Sequence, residues 1–159
     1  MTLQTSPTQP SPIRKSLLSS EVLDRSRVLD TLVNNLDGMA YRCLHDADWT
    51  MIFVSQGCVA LTGYAAIDLV GSAGLPWQDI TYDEDQERIR KAVDRAVASR
   101  QRFAVQYRIR TASGQLKWVS ERGIAVHDEQ GEIVIEGIIE DITVQKATLD
   151  ALEQAEFRY

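Results

Sequence analysis

The chain of 159 residues is long enough for one domain of ordinary size, and its 44% hydrophobic residues predict a packed core. A formal net charge of −6 argues against a general nucleic-acid binder, which needs a basic surface. No segment approaches the roughly 20 apolar residues of a membrane-spanning helix, and the first residues lack the apolar core of a secretory signal. The two cysteines, Cys43 and Cys58, are too few for a disulfide framework, which favours a reducing, cytoplasmic location.

Residues 1–15 are dominated by proline, serine, threonine and glutamine, a composition that cannot repay the entropy of ordering and predicts a disordered tail. From residue 16 to residue 36 apolar side chains recur at helical spacing, with Arg25 at a skipped heptad position, which predicts a flanking helix. We expect this helix to pack on a sheet or across a homodimer. Its apolar stripe consists of Leu18, Val22, Leu29, Leu32 and Leu36.

The middle of the chain predicts a hairpin followed by three helices. Residues 39–46 and 49–55 are rich in aromatic and branched residues around an aspartate-containing turn, which indicates two paired strands. Short helices are expected at 56–61 and 65–70, each followed by a glycine that ends it. The acidic run 83–85 opens the clearest helix, because apolar side chains then recur at four-residue steps and arginines follow its end.

The last third of the chain is rich in strands. Residues 103–110, 116–126 and 132–141 read as three strands joined by tight turns, which predicts an antiparallel meander. Residues 144–159 are helical and charged in character. Because strands and helices are segregated along the chain, the sequence predicts an α+β domain around an antiparallel sheet.

A set of short patterns spread over residues 36–143 resembles the PAS domain of bacterial sensor proteins. Two of them are Leu61-Thr62-Gly63-Tyr64, at a strand-to-helix turn, and Asp141-Ile142-Thr143, at the exit from the last strand. Each pattern alone is weak, but all of them occur in the expected order and identify the chain as a member of this family. The segments that carry the resemblance are 38–43, 48–51, 54–58, 61–64, 107–110, 118–119, 136–137 and 141–143.

The resemblance implies a five-stranded antiparallel sheet with small helices on one face, spanning residues 37–143 between two flanking helices. Such domains bind a small ligand or dimerise, and they pass a signal to an attached kinase, cyclase or phosphodiesterase. We therefore expect a non-enzymatic sensory module of a bacterial multidomain signalling protein, most of all a sensor histidine kinase of a two-component system. The alternatives are a module of a diguanylate cyclase or phosphodiesterase, and a dimerisation spacer that binds no ligand.

The resemblance also suggests which residues line a pocket and which relay a signal. Asp141, Ile142 and Thr143 occupy the joint between the last strand and the exit helix, where a short polar side chain can couple sheet geometry to helix direction. A plain helix cap is the compatible simpler interpretation. The candidate pocket residues are Phe53, Leu61, Val105, Tyr107, Trp118 and Ile139.

Metal and nucleophile chemistry has little support in the sequence, and neither a catalytic residue nor a metal site is predicted. Cys43 and His45 share a strand face and would offer a metal three ligands with His127, but ordinary strand residues are the better interpretation. Cys58 stands where a thiolate is favoured, yet a small buried hydrophobic residue explains it better. The acidic run 83–85 is read as a solvated helix start rather than a metal cluster.

The resemblance disfavours the best-known cofactors of the family, so no cofactor is predicted. Haem-binding relatives use a histidine on or near the long helix, and residues 83–102 contain none. Flavin photoreceptor relatives carry a reactive cysteine between asparagine and arginine, a setting that neither Cys43 nor Cys58 has. A non-covalent small ligand stays open, and Trp77 and Trp118 are better explained by packing than by stacking on a planar ligand.

Two further features concern the helix starts and the C-terminal segment. Many relatives carry His-Pro before the long helix, where this chain has Tyr82-Asp83, so Asp83 or Thr81 is expected to cap the helix.

In the exit helix, Leu149 and Leu152 fit a heptad. Residues 155–159 resemble the lead-in to another sensory domain, which predicts a fragment of a longer protein whose downstream output domain is missing here.

Overall fold

The computed structural model describes the backbone of residues 12–156 and the side chains of residues 19–156. Helix α1, Pro12–Asn34, belongs to a first unit except for its last residue, and the chain from Asn34 onwards forms a second unit. The helix thus begins within the predicted tail and ends before residue 36. Residues 1–11 of that tail and residues 157–159 of the predicted exit helix lie outside the described residues.

The apolar stripe of α1 is exposed where the structure describes it. Val22, Leu29 and Leu32 are each about 60% exposed, and half-buried Leu36 follows the end of the helix. The side chain of Leu18 lies outside the described ones. The role of this stripe in dimerisation therefore stays a prediction.

The second unit is built on a five-stranded antiparallel sheet with the order β2-β1-β5-β4-β3, which confirms the predicted α+β PAS-like fold. The first and last strands of the unit pair in its centre, from Gly38 opposite Glu140 to Leu44 opposite Val134. Beyond this pair, the amide of Asp141 donates to the carbonyl of Asp37 at 3.0 Å. The strands are β1 Gly38–Leu44, β2 Met51–Val54, β3 Phe103–Arg110, β4 Leu116–His127 and β5 Ile133–Asp141.

Short helices lie between β2 and β3, and a longer helix packs its apolar stripe into the core. The helix α4 was not expected, since four residues are too few to show a helical period in the sequence. No helix in the described part of the chain is long and apolar enough to cross a membrane. The helices are α2 Cys58–Thr62, α3 Ala66–Leu69, α4 Trp77–Ile80, α5 Gln86–Ser99 and α6 Thr143–Glu156, with a 3-10 turn at Asp83–Asp85 before α5.

A bulge in the hairpin moves Phe53 out of the core, so its expected place among core strand residues is wrong. The register shifts between Arg42 and Cys43, which leaves Ile52 as an extra residue in β2. Phe53 then pairs with outward-facing Arg42 and is 53% exposed. Strict alternation along the sequence does not reveal such an insertion.

The start of α5 differs from the expected cap. Neither Asp83 nor Thr81 caps the helix, because the hydroxyl of Thr81 donates to the carbonyl of Gln78 at 2.7 Å. Asp85 is not solvated either, since it is only 4% exposed. Its carboxylate accepts three hydrogen bonds from Arg108 on β3, from the backbone amide at 2.9 Å, Nε at 3.0 Å and Nη2 at 2.8 Å. This ion pair ties the beginning of α5 to the sheet.

Candidate ligand site

A glutamate lies in the middle of the hydrophobic core. Glu121 occupies an inward position of β4 and is 7% exposed, between Val119 and Gly123 on the same face. The hydroxyl of Tyr107 donates to Oε1 at 2.5 Å, and the hydroxyl of Tyr41 donates to Oε2 at 2.6 Å. Both distances fall in the range of O–H donors on a carboxylate, so each oxygen is satisfied by a phenol.

The strand register and two glycines make this arrangement possible. Tyr41 lies opposite Gly137, and Gly137 lies opposite Gly123 on the next strand. A Cβ atom would come within 2.8 Å of the Tyr41 hydroxyl at Gly123 and within 2.9 Å at Gly137. Because both Cβ atoms are absent, the ring of Tyr41 extends across the neighbouring strands and its hydroxyl reaches Glu121.

The indole of Trp77 determines which atom donates in the hydrogen bond between Tyr107 and Glu121. Trp77, on α4, donates its indole N–H to the hydroxyl oxygen of Tyr107 at 3.0 Å. An indole nitrogen only donates, so the Tyr107 hydroxyl must send its own hydrogen to Glu121. Trp77, which was expected to serve packing, thus takes part in a buried polar network that joins helix and sheet.

Burial governs the protonation of these groups. Desolvation raises the pKa of Glu121, and the hydrogen bonds from Tyr107 and Tyr41 partly offset that rise. Burial and the adjacent Glu121 raise the pKa of both tyrosines well above the usual range, so the phenols remain protonated donors. No lysine, arginine or histidine among residues 19–156 forms an ion pair with Glu121.

A small cavity adjoins the cluster between the sheet and the helices. Its volume of about 10 Å³ corresponds to the space that one water molecule needs. Tyr41 and Glu121 form part of its wall. The remaining wall includes Cys43, Trp49, Met51, Trp77, Thr81, Ile89, Val93 and Ile135.

Trp49 closes this cavity on the side of the β1–β2 turn. It is 5% exposed, its backbone is left-handed with φ 52°, and its indole N–H is buried without an acceptor in the described part of the chain. The guanidinium of Arg90, on α5, lies 3.5 Å from the ring centroid. The ring of His45 stacks on the indole, and its Nε2 donates a hydrogen bond to Oδ1 of Asp94, on α5, at 2.7 Å. The turn is therefore held against α5.

The cysteines and histidines do not gather into a metal site in the described part of the chain. Cys43 and Cys58 are both buried, and burial raises the pKa of each thiol. His45 lies beyond the end of β1, and His127 is exposed at the end of β4. A reactive thiolate is therefore disfavoured at both cysteines.

The six predicted pocket residues do not come together around the cavity. Tyr107 does not line the cavity, but its hydroxyl bonds to Glu121, which does. Half-buried Trp118 faces the side chains of Arg108 and Lys146. Exposed Phe53 is described above. The remaining three, Leu61, Val105 and Ile139, are buried in the core outside the lining of the cavity. Their role in ligand binding stays a prediction.

Sequence reasoning missed Glu121, Tyr41 and Trp49. A signal for the first was present, because the alternation of β4 places an acidic residue on the same face as Val119. An acidic residue at an inward strand position requires buried donors, and tyrosines on neighbouring strands are suitable ones. Which tyrosines supply them depends on the strand register, which the sequence does not reveal.

Tyr107→Phe tests the energetic weight of the cluster. The substitution leaves Trp77 without its acceptor and Glu121 without one donor, so we expect the free energy of unfolding to fall by about 2 kcal/mol. Urea denaturation followed by circular dichroism measures this change. Tyr64→Phe is the matched control, because the Tyr64 hydroxyl has no hydrogen-bond partner among the described residues. Equal effects of the two substitutions would contradict the prediction.

A second polar network joins the sheet to the exit helix. Oδ1 of Asp141 accepts the Thr143 amide at 3.0 Å and the Thr143 hydroxyl at 2.6 Å. The Thr143 hydroxyl accepts the amide of Trp118, on β4, at 3.1 Å, and Lys117 lies 3.5 Å from Oδ2 of Asp141. Burial alone would raise the pKa of Asp141, but the bonds from Thr143 and Lys117 bring it below its usual value. Ile142 lies between them, with its amide bound to the Trp118 carbonyl at 2.9 Å.

Comparison with known proteins agrees with this architecture. A family profile described as PAS fold matches residues 51–139, which is more than half of the chain. A methyl sulfide methyltransferase-associated sensor from Methanosarcina acetivorans is 29% identical over 126 residues, covering 78% of this chain and 12% of the relative. The chain thus spans only a small part of that relative.

Solved structures share the fold at low sequence identity. A sensory box histidine kinase/response regulator from Burkholderia thailandensis superposes with a TM-score of 0.65 at 24% identity, over 82% of this chain and 95% of that one. The N-terminal domain of a diguanylate cyclase with PAS/PAC sensor from Marinobacter aquaeolei gives a TM-score of 0.57 at 17% identity, over 69% of this chain and 98% of that one.

Proposed function

The chain belongs to the PAS family, and on that premise we propose that it is the ligand-responsive sensory module of a bacterial multidomain signalling protein. The observation that carries the proposal is the buried Glu121 cluster beside an interior cavity, on the strand that also carries Trp118. A cluster of this kind is costly to bury, and function is a common reason to retain one.

The structural route from the cavity to the exit helix is short. Glu121 and Trp118 lie three residues apart on β4, and the Trp118 amide bonds to Thr143 at the start of α6. A ligand that binds one arrangement of β4 more tightly would shift the population of the other. The bonds of Asp141 and Thr143 would then transmit that shift to α6.

The relay predicts a coupling that hydrogen exchange can measure. Tyr41→Phe removes one donor from Glu121, and we expect it to change the exchange rates of the first amides of α6. Asp141→Ala should raise those rates by about fivefold, as loss of a helix-terminal acceptor does, and should abolish the response to Tyr41→Phe. Asp128→Ala is the matched control, since Asp128 accepts two amides in the β4–β5 turn, at the other end of the same strands. An unchanged α6 in Tyr41→Phe would contradict the relay.

A sensor histidine kinase is the first candidate for the parent protein, supported by the similarity to the Burkholderia thailandensis protein. A diguanylate cyclase or phosphodiesterase is the second, supported by the similarity to the Marinobacter aquaeolei domain. Assays of the full-length parent distinguish them, because a kinase transfers phosphate from ATP to itself and a diguanylate cyclase condenses GTP. The buried, unpaired Cys43 and Cys58 support a reducing, cytoplasmic location as part of the proposal.

We further propose that the module is a homodimer without haem or covalent flavin. The exposed apolar side chains Val22, Leu29 and Leu32 of α1 support association, and the raised pKa values of both thiols argue against a covalent adduct. Freshly purified protein should therefore be colourless and give the mass of a dimer in native mass spectrometry. A visible absorption band would contradict the first expectation, and a monomer at high concentration would contradict the second.

A further inference from the structure

The lining of the interior cavity includes two polar side chains of opposite hydrogen-bonding character, Glu121 and Trp49. Glu121 offers carboxylate oxygens that each accept one phenol hydrogen and keep a further lone pair. The indole N–H of Trp49 is a buried donor without an acceptor among the described side chains. Because an unsatisfied buried donor destabilises the fold, an occupant that accepts from Trp49 is favoured.

Charged occupants fit these walls poorly. An anion would lie beside the Glu121 carboxylate, which has no ion-pair partner within residues 19–156. A cation would leave the Trp49 donor unsatisfied and would lie near the guanidinium of Arg90, 3.5 Å from the indole centroid. A neutral group that both donates and accepts satisfies both walls, and a hydroxyl is the smallest organic group of this kind.

We propose that the cavity binds the hydroxyl group of a small neutral molecule, which donates to Glu121 and accepts from Trp49. This inference rests on the proposed sensory function and names the chemical class of its ligand. The volume of about 10 Å³ equals the space that one water molecule needs, so water would compete with the hydroxyl group for the cavity.

The apolar wall supplies a way to fit a probe to the site. Ile135 is buried and lines the cavity. Ile135→Val removes one methyl-sized group, and methanol is larger than water by a group of the same size. Ile109→Val removes the same group from a buried isoleucine outside the lining, so it is the matched control. Substitutions of this kind are among the mildest in protein cores, and both variants are expected to fold.

The test compares methanol, methylammonium and formate, three probes of similar size, on the full chain carrying Ile135→Val. Binding is followed by NMR through the indole signals of the three tryptophans, with Trp118 outside the cavity as internal reference. Methanol should shift the Trp49 signal saturably, with a dissociation constant in the millimolar range or weaker, and should bind Ile109→Val less tightly. Adding Trp49→Phe should weaken methanol binding by about fivefold, as read from the Trp77 signal.

Three results would overturn the proposal. The first is a methylammonium or formate shift as strong as that of methanol, which would indicate a charged ligand. The second is methanol binding that Trp49→Phe leaves unchanged, and the third is no saturable binding of any probe to Ile135→Val. None of these results affects the hydrogen-exchange test on α6. The proposed ligand class can therefore be wrong while the proposed sensory function is right, and the reverse also holds.

Discussion

Asp85→Ala is expected to lower the free energy of unfolding by about 2 kcal/mol, because it removes one partner of a part-buried ion pair and leaves Arg108 only the longer contact with exposed Glu84, at 3.9 Å. The loss includes the acceptor of the Arg108 backbone amide, at 2.9 Å, in addition to the two guanidinium bonds. Urea denaturation at neutral pH measures the change. Asp83→Ala is the control within the same turn, since Asp83 is exposed and its substitution should cost less than about 0.5 kcal/mol.

The same pair predicts a pH dependence of stability with a definite sign. Hydrogen bonds from Arg108 hold the pKa of Asp85 below its usual value, so the ionised form is favoured in the folded state. The resulting stabilisation is fully present above the unfolded-state pKa of about 4 and is lost as pH falls through the lower folded-state pKa. The stability difference between wild type and Asp85→Ala should therefore shrink in this acidic range. A difference that stays constant through that acidic range would contradict the assignment.

Gly137→Ala is expected to destabilise the fold by about 3 kcal/mol, since backbone atoms cannot move aside as a flexible side chain does. A Cβ at this position would lie 2.2 Å from the carbonyl oxygen of Arg122 and 2.8 Å from Cα of Gly123. It would also displace the Tyr41 hydroxyl from Glu121, which removes one of the two phenol donors of that carboxylate.

Gly131→Ala separates this clash from the ordinary cost of replacing a glycine. Gly131 has φ 80° and nothing within 4 Å of an added Cβ, so only backbone strain of about 1 kcal/mol opposes the substitution. Urea denaturation measures the loss of stability in both variants. Equal losses would show that the close approach of the strands at Gly137 adds nothing to the cost of the substitution.

The sequence was sufficient for the fold because the fold depends on patterns that repeat. The alternation in β3 and the four-residue steps in α5 each extend over many residues, so single exceptions do not hide them. The bulge that exposes Phe53 is a single inserted residue, and α4 is a single helical turn. Neither is long enough to produce a period.

The candidate site was harder to predict because it depends on which residues face each other across strands. Glu121, Tyr41 and Tyr107 lie on three different strands, and their contact follows from a register that turns and the bulge determine. The same holds for Asp85, whose acidic run reads as a solvated helix start until Arg108 is placed beside it. Local sequence patterns therefore indicated the strands and the long helix, while long-range pairing decided the chemistry.

The central pairing of β1 with β5 has a mechanical consequence. Because the strands are antiparallel and Asp37 and Asp141 are adjacent at one end, a force pulling these two residues apart loads one hydrogen bond at a time. The sheet would open like a zipper, from the bond between the Asp141 amide and the Asp37 carbonyl toward Leu44 and Val134. Tension between two segments attached at these positions would thus part the first and last strands at low force, well before it sheared the rest of the sheet.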